Sequence, residues 1–318
     1  MKKNYTRWMR IIGVILFLFI LTRLDFHTAF KNLINFNWKW LIVYGILSIL
    51  MLIFKSLRWR SILLKQSIDY PMFKVCAINA NTSFLGMITP GRLGELSKVV
   101  YLQEDEIPFS KSIVSVLIDR AYDLAILIIF SIIALFYFAD ILIVGVKNLF
   151  FFIFLFLGVG ILIFFFRNNI WELLKKAMKF LLPEDKYLLI VKEWYQFKTE
   201  IIKIFYPTML RMIFYTILIY CCYYAQINIV AYGFNVSVSF IYLSFCMTLA
   251  SIVSLLPISI GGLGTREAIF IFLLSKVLIS PENALIIAFI DSNVFGLAMS
   301  GLLALLFNVF YKKPNKNR

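Results

Sequence analysis

Thr89-Pro90-Gly91-Arg92-Leu93-Gly94-Glu95 interrupts one apolar run, and Gly261-Gly262-Leu263-Gly264-Thr265-Arg266-Glu267, shortly after Pro257, interrupts another. Each stretch joins helix breakers to an arginine and a glutamate. In a soluble loop that mixture is ordinary. Within a membrane it is costly, because freed backbone groups and charges need partners that lipid does not supply.

The surroundings are those of a membrane protein. The chain has 318 residues, 62% of them hydrophobic, with mean hydropathy +0.88. The apolar residues come as long runs, such as 41–54, 126–138, 149–166 and 284–310, near the length needed to cross roughly 30 Å of hydrocarbon as helix. Continuous runs also argue against a porin-like barrel, whose strands alternate. The expected fold class is therefore an all-α polytopic membrane protein.

Net charge is +15. This is read as cytoplasmic loop charge under the positive-inside rule, with an added attraction for anionic headgroups, and not as a nucleic-acid surface. The four cysteines (Cys76, Cys221, Cys222, Cys246) form no C-x-x-C pair, and His27 is the sole histidine. No metal site, cofactor or Ser-His-Asp triad is expected. The basic, then apolar N-terminus resembles a signal peptide without a cleavage site, and is read as a retained first span.

About six full spans are expected, at residues 8–24, 38–57, 112–138, 149–166, 209–233 and 284–310. Both termini would be cytoplasmic in a plasma (inner) membrane. Arg58-Trp59-Arg60 reads as an interfacial anchor, Lys55 as a mark of the cytoplasmic loop, and Lys98 as an interface charge. Residues 167–206 read as amphipathic helices on the cytoplasmic leaflet, parted by Pro183. Two segments are too short on each side of their breakers to span. These are 71–102, around Pro90, and 238–279, around Pro257. They read as re-entrant broken helical hairpins.

Shifted by 172 residues, Glu95 falls on Glu267, Asp119 on Asp291, and 38–57 on 210–229. The chain thus reads as a repeat, 38–138 and 209–310, with opposite orientation in the two copies. Inverted repeats with broken helices mark transporter-like architecture.

Candidate binding residues follow. Arg92 and Arg266 stand beside helix breaks, where free N–H groups and a guanidinium fork suit a phosphate. Pro90, Gly91, Gly94, Pro257, Gly261, Gly262 and Gly264 shape these anion seats. Glu95, Asp119, Arg120, Asp123, Glu267, Asp291 and Asn293 complete the in-membrane polar set. They either hold a headgroup or neutralise one another and the arginines; sequence alone leaves both open.

Taken together, Pro90-Gly91-Arg92-Leu93-Gly94-Glu95, Asp119-Arg120-x-x-Asp123 and Pro257-x-x-x-Gly261-Gly262-x-Gly264-x-Arg266-Glu267 resemble the transmembrane region of lysylphosphatidylglycerol synthases, over about residues 8–310. Span three departs mildly, with Asp-Arg where many relatives have Glu-Arg. The resemblance implies binding or translocation of a phospholipid, such as an aminoacylated phosphatidylglycerol. It also implies that aminoacyl transfer would need a separately encoded synthase as partner. Two rival expectations are a membrane-embedded transferase and a subunit that docks a soluble enzyme on 167–206. No nucleotide-binding motif G-x-x-x-x-G-K-[ST] is present.

Overall fold

The structure, a computed structural model, describes residues 33–141, 184–256, 259 and 261–310. The first span, the 149–166 span, Pro183, Pro257 and His27 lie outside them. The described residues are helical, with no strand among them.

Helix α1 is Lys39–Lys65, α2 is Met72–Ile88, and a 3-10 turn, Leu93–Ser97, leads into α3, Lys98–Glu104. Helix α4 is Phe109–Tyr137 and α5 is Glu184–Gly233. Helix α6 is Phe240–Ser254 and α7 is Thr265–Leu274. Helix α8, Pro281–Phe289, runs through a π-helical segment, Ile290–Gly296, into α9, Leu297–Phe310.

Lys39–Lys65, Met209–Gly233 and Pro281–Val309 are each long and apolar enough to cross a membrane. The 27 residues of α1 rise about 40 Å, more than the hydrocarbon thickness. Its faces are sorted in the membrane sense. Ile42, Ile46, Ile49 and Ile53, spaced by three or four, point outward, while Tyr44, Ser48 and Arg58 are buried. Apolar outside and polar inside is the arrangement lipid selects. Helices α4 and α9 repeat it, with Ile129, Ile132, Ile133 and Phe136 exposed on one, and Leu302, Leu305 and Val309 on the other.

Span five was expected to begin near Met209. The helix instead runs unbroken from Glu184 past Pro207 to Gly233, 50 residues and about 75 Å. That exceeds any bilayer crossing, so part of this rod lies beyond the hydrocarbon.

Two apolar clusters frame the interior. The larger joins α4 to α8 through residues such as Leu127, Tyr224, Leu249, Phe270 and Ile287. The smaller gathers Trp59, Leu63, Leu102, Val114 and Met212. A third, small cluster of Leu52, Ala80, Leu303 and Ala304 shares with the larger one the apolar wall of a polar interior.

Candidate functional site

The first break follows from local chemistry. Pro90 lacks an N–H and disfavours helical geometry at Thr89, which is extended (ψ 144°) and ends α2. Gly91 (φ 60°) and Arg92 (φ 56°) then turn the chain through left-handed backbone, a conformation an arginine adopts at a cost of about 1–2 kcal/mol. Thr89 Oγ1 accepts a hydrogen bond from the Gly94 N–H at 2.7 Å and staples the turn. A side chain at Gly94 would run into the Leu85 backbone, so the turn lies directly on the last coil of α2.

The second break uses three positive-φ glycines, Gly261 (61°), Gly262 (84°) and Gly264 (82°). Glu267 closes it. Its Oε2 accepts from the Gly264 N–H at 2.6 Å, so the carboxylate satisfies a donor at the start of α7. Its Oε1 accepts from Asn293 Nδ2 at 3.1 Å.

The two breaks meet. A Cβ added at Gly91 would lie 3.0 Å from the Leu255 carbonyl, and one at Gly261 would lie 2.7 Å from the Met87 carbonyl. Each turn thus abuts the end of the helix that precedes the other. Beside this junction is a cavity of about 260 Å³. Its charged lining is Lys55, Arg92, Arg120 and Arg266 against Glu95, Asp123 and Asp291. Tyr44, Tyr220, Tyr223 and Gln226 add neutral polar groups, and Leu52, Met87, Leu127 and Met299 supply apolar wall.

The charged residues divide into two groups. In the first, every charge has a counter-ion. Asp119, 2% exposed, accepts from Arg58 Nε and Lys98 Nζ, each at 2.8 Å. Arg58 also donates to Asp123 at 2.7 Å and to Thr216 Oγ1 at 3.0 Å. Arg120 pairs with Glu95. Lys98 additionally sits 4.8 Å from the centre of the Trp59 ring, a cation–π contact. Asp119 and Asp123 do share a helix face, and Arg58 is what they share it for. The expectation that Arg58-Trp59 is an interfacial anchor is corrected here, since both residues are fully buried. The same holds for Lys98, which is buried in an ion pair and not set at an interface. Arg60 is only half-buried, and bonds the Tyr70 carbonyl and Asp69.

In the second group no charge has a counter-ion within 4 Å among the described residues. Arg92, Arg266, Lys55 and Asp291 form no ion pair among the described residues. Arg266 is 3% exposed and its Nε lacks any hydrogen-bond acceptor; Asp291, also 3% exposed, has an Oδ1 without a donor. Asp291 and Asn293 lie in the π-helical segment, where the Asp291 carbonyl accepts from Tyr44 Oη at 2.8 Å. Neither breakers nor charge runs announced that segment. The arginines do not pair with the glutamates adjacent in sequence, because Glu95 faces Arg120 and Glu267 caps its own helix.

Of the expected residues, Gly91, Arg92, Glu95, Arg120, Asp123, Arg266 and Asp291 line the cavity. Asp119, Glu267 and Asn293 stand behind it. Gly94, Gly261, Gly262 and Gly264 shape the backbone there, and Pro257 lies outside the described residues. Sequence reading missed Lys55, Arg58, Tyr44 and Lys98. For the three on α1 the signal was the spacing of Tyr44, Ser48, Lys55 and Arg58, which puts four polar groups on one face of an apolar helix.

Buried charge, broken helices and a lipid-facing exterior define a class: a helical membrane protein with a polar cavity at the meeting of two helix breaks. Within that class, the chain belongs to the family described as the lysylphosphatidylglycerol synthase TM region, which matches residues 9–306. Membership places it among membrane proteins linked to lipid metabolism. It is also similar to a UPF0104 membrane protein of Methanocaldococcus jannaschii, with 27% identity over 311 residues and 89% of each chain covered. No solved structure shows a significant match.

Proposed function

We propose that this protein is a flippase-like lipid translocator that binds an anionic phospholipid headgroup in the cavity between the two helix breaks. The observation that carries the reading is the pair Arg92 and Arg266. Both line one cavity, and neither has a counter-ion within 4 Å among the described residues. Leaving the buried guanidinium of Arg266 unpaired is expensive, and a phosphate held between it and the half-buried Arg92 offsets that penalty. The apolar stretch of the same wall suits the first methylenes of an acyl chain.

In this reading the two breaks are re-entrant hairpins of an inverted repeat, 38–138 and 209–310, in a plasma membrane with both termini cytoplasmic. Rocking of one half against the other would alternate access. A separately encoded synthase would supply a modified lipid, with the part of α5 before Met209 as its docking surface.

The test is translocation of a fluorescent phospholipid in liposomes containing the purified chain. Bleaching of the outer leaflet by a membrane-impermeant reductant reports how much label has moved. The wild type should equilibrate the label, and Arg92→Ala with Arg266→Ala should not. Equal translocation by that double variant overturns the proposed site.

A further inference from the structure

The uncompensated charge of the cavity says more about the headgroup than that it is anionic. In the paired group, three cations (Arg58, Lys98, Arg120) balance three carboxylates (Asp119, Asp123, Glu95). That group is neutral as it stands. What remains facing the cavity is Lys55, Arg92 and Arg266 against Asp291 alone. With all four ionised, the surplus is two positive charges. Glu267 does not alter this. It is turned away into the N-terminus of α7, where it meets the Gly264 N–H and the Asn293 amide and offsets the partial positive charge of the helix end.

Resting on the lipid-binding reading above, we propose that the site selects a dianionic phosphate headgroup, a phosphomonoester or a diphosphate, over a singly charged phosphodiester, and that Lys55 supplies the discrimination. A phosphodiester carries one negative charge, and two guanidinium forks already exceed it. A terminal phosphate or a diphosphate brings a second charge and further acceptor oxygens. Lys55 is suited to these oxygens, since an ammonium on a flexible stem acts as a mobile point charge beside the fixed forks. It lies three residues before Arg58 on the same face of α1, yet joins no ion pair there. An aminoacylated phosphodiester, which adds positive charge, is disfavoured by the same surplus.

Competition for a fluorescent phospholipid bound to the purified full chain in mixed micelles tests this. The competitors are phosphatidic acid, phosphatidylglycerol, lysylphosphatidylglycerol and inorganic diphosphate. Phosphatidic acid should compete about tenfold better than phosphatidylglycerol, one extra charge-assisted contact being worth about that factor. Lys55→Met should reduce that preference to about twofold or less, weakening phosphatidic acid more than phosphatidylglycerol, and Lys55→Arg, which keeps the charge, should retain most of it. Lys55 is half-buried and joins no ion pair among the described residues, so these variants leave the paired group intact. Strong competition by inorganic diphosphate would assign the charge preference to a free anion and overturn the lipid assignment. Equal competition by phosphatidic acid and phosphatidylglycerol, or a preference untouched by Lys55→Met, overturns the proposal. Either result leaves translocation to be judged by the liposome assay, where transport of phosphatidylglycerol lost in the arginine double variant would still support the broader function.

Discussion

Two sets of charges share the interior of this bundle, and the fold treats them in opposite ways. Around Asp119, each charge is matched, at 2.7–2.8 Å where Arg58 and Lys98 meet their carboxylates. Around Arg266, charges face a cavity with no counter-ion within 4 Å among the described residues. The first set joins α1, α3 and α4 and behaves as structure. The second sits where two helix breaks touch and behaves as a site held open. The difference lies in the counter-ion and not in burial: Arg58 and Arg120 also keep a guanidinium nitrogen without a hydrogen bond, yet each faces a carboxylate, whereas Arg266 faces none among the described residues.

The largest expected effect lies in the matched set. Asp119→Ala leaves Arg58 and Lys98 buried without their shared acceptor, and should lower stability by about 3–5 kcal/mol. Denaturant unfolding in micelles measures it, and a loss below about 1 kcal/mol would mean that the cluster is not structural. Next is Gly94→Ala, where the new methyl meets the Leu85 backbone and the turn must lift off α2. About 1–3 kcal/mol of destabilisation is expected on the same measurement; wild-type stability would show that the turn is not seated there. Tyr44→Phe removes the bond to the Asp291 carbonyl and should cost about 1 kcal/mol. The smallest stability effect belongs to the unmatched set. Arg92→Gln should stay within about 0.5 kcal/mol of wild type, as a surface-like change does, while headgroup binding weakens. A large stability loss there would erase the contrast between the two sets.

Much of this was legible in the sequence because lipid permits few solutions. Long apolar runs fixed the class, and Pro90-Gly91 and the 261–264 glycines placed both helix breaks. Arg92, Glu95, Arg120, Asp123, Arg266 and Asp291 line one cavity, and Asp119, Glu267 and Asn293 do not. Other parts were hidden for identifiable reasons. Arg58-Trp59 stands at the end of an apolar run, where a belt residue and a buried ion pair look alike; only the position of Asp119 on a distant helix separates them. Lys55 was counted with loop charges because α1 continues to Lys65, well past the end that hydropathy gave it. The π-helical turn at Asp291 has no breaker in its interior, and Gly296 comes only at its end. The continuity of α5 through Pro207 was masked by a residue that usually ends helices.

The most direct test of the contrast is thermal unfolding of the wild type and of the Arg92→Gln, Arg266→Gln double variant, each with and without an excess of mixed phosphatidic acid and phosphatidylglycerol. A ligand at a hundred times its dissociation constant stabilises the folded state by about 2.7 kcal/mol. The wild type should show a gain of that order, and the double variant should unfold near the lipid-free wild type with little or no gain. An equal gain in both proteins would contradict the claim that the unpaired arginines are kept for a phospholipid headgroup.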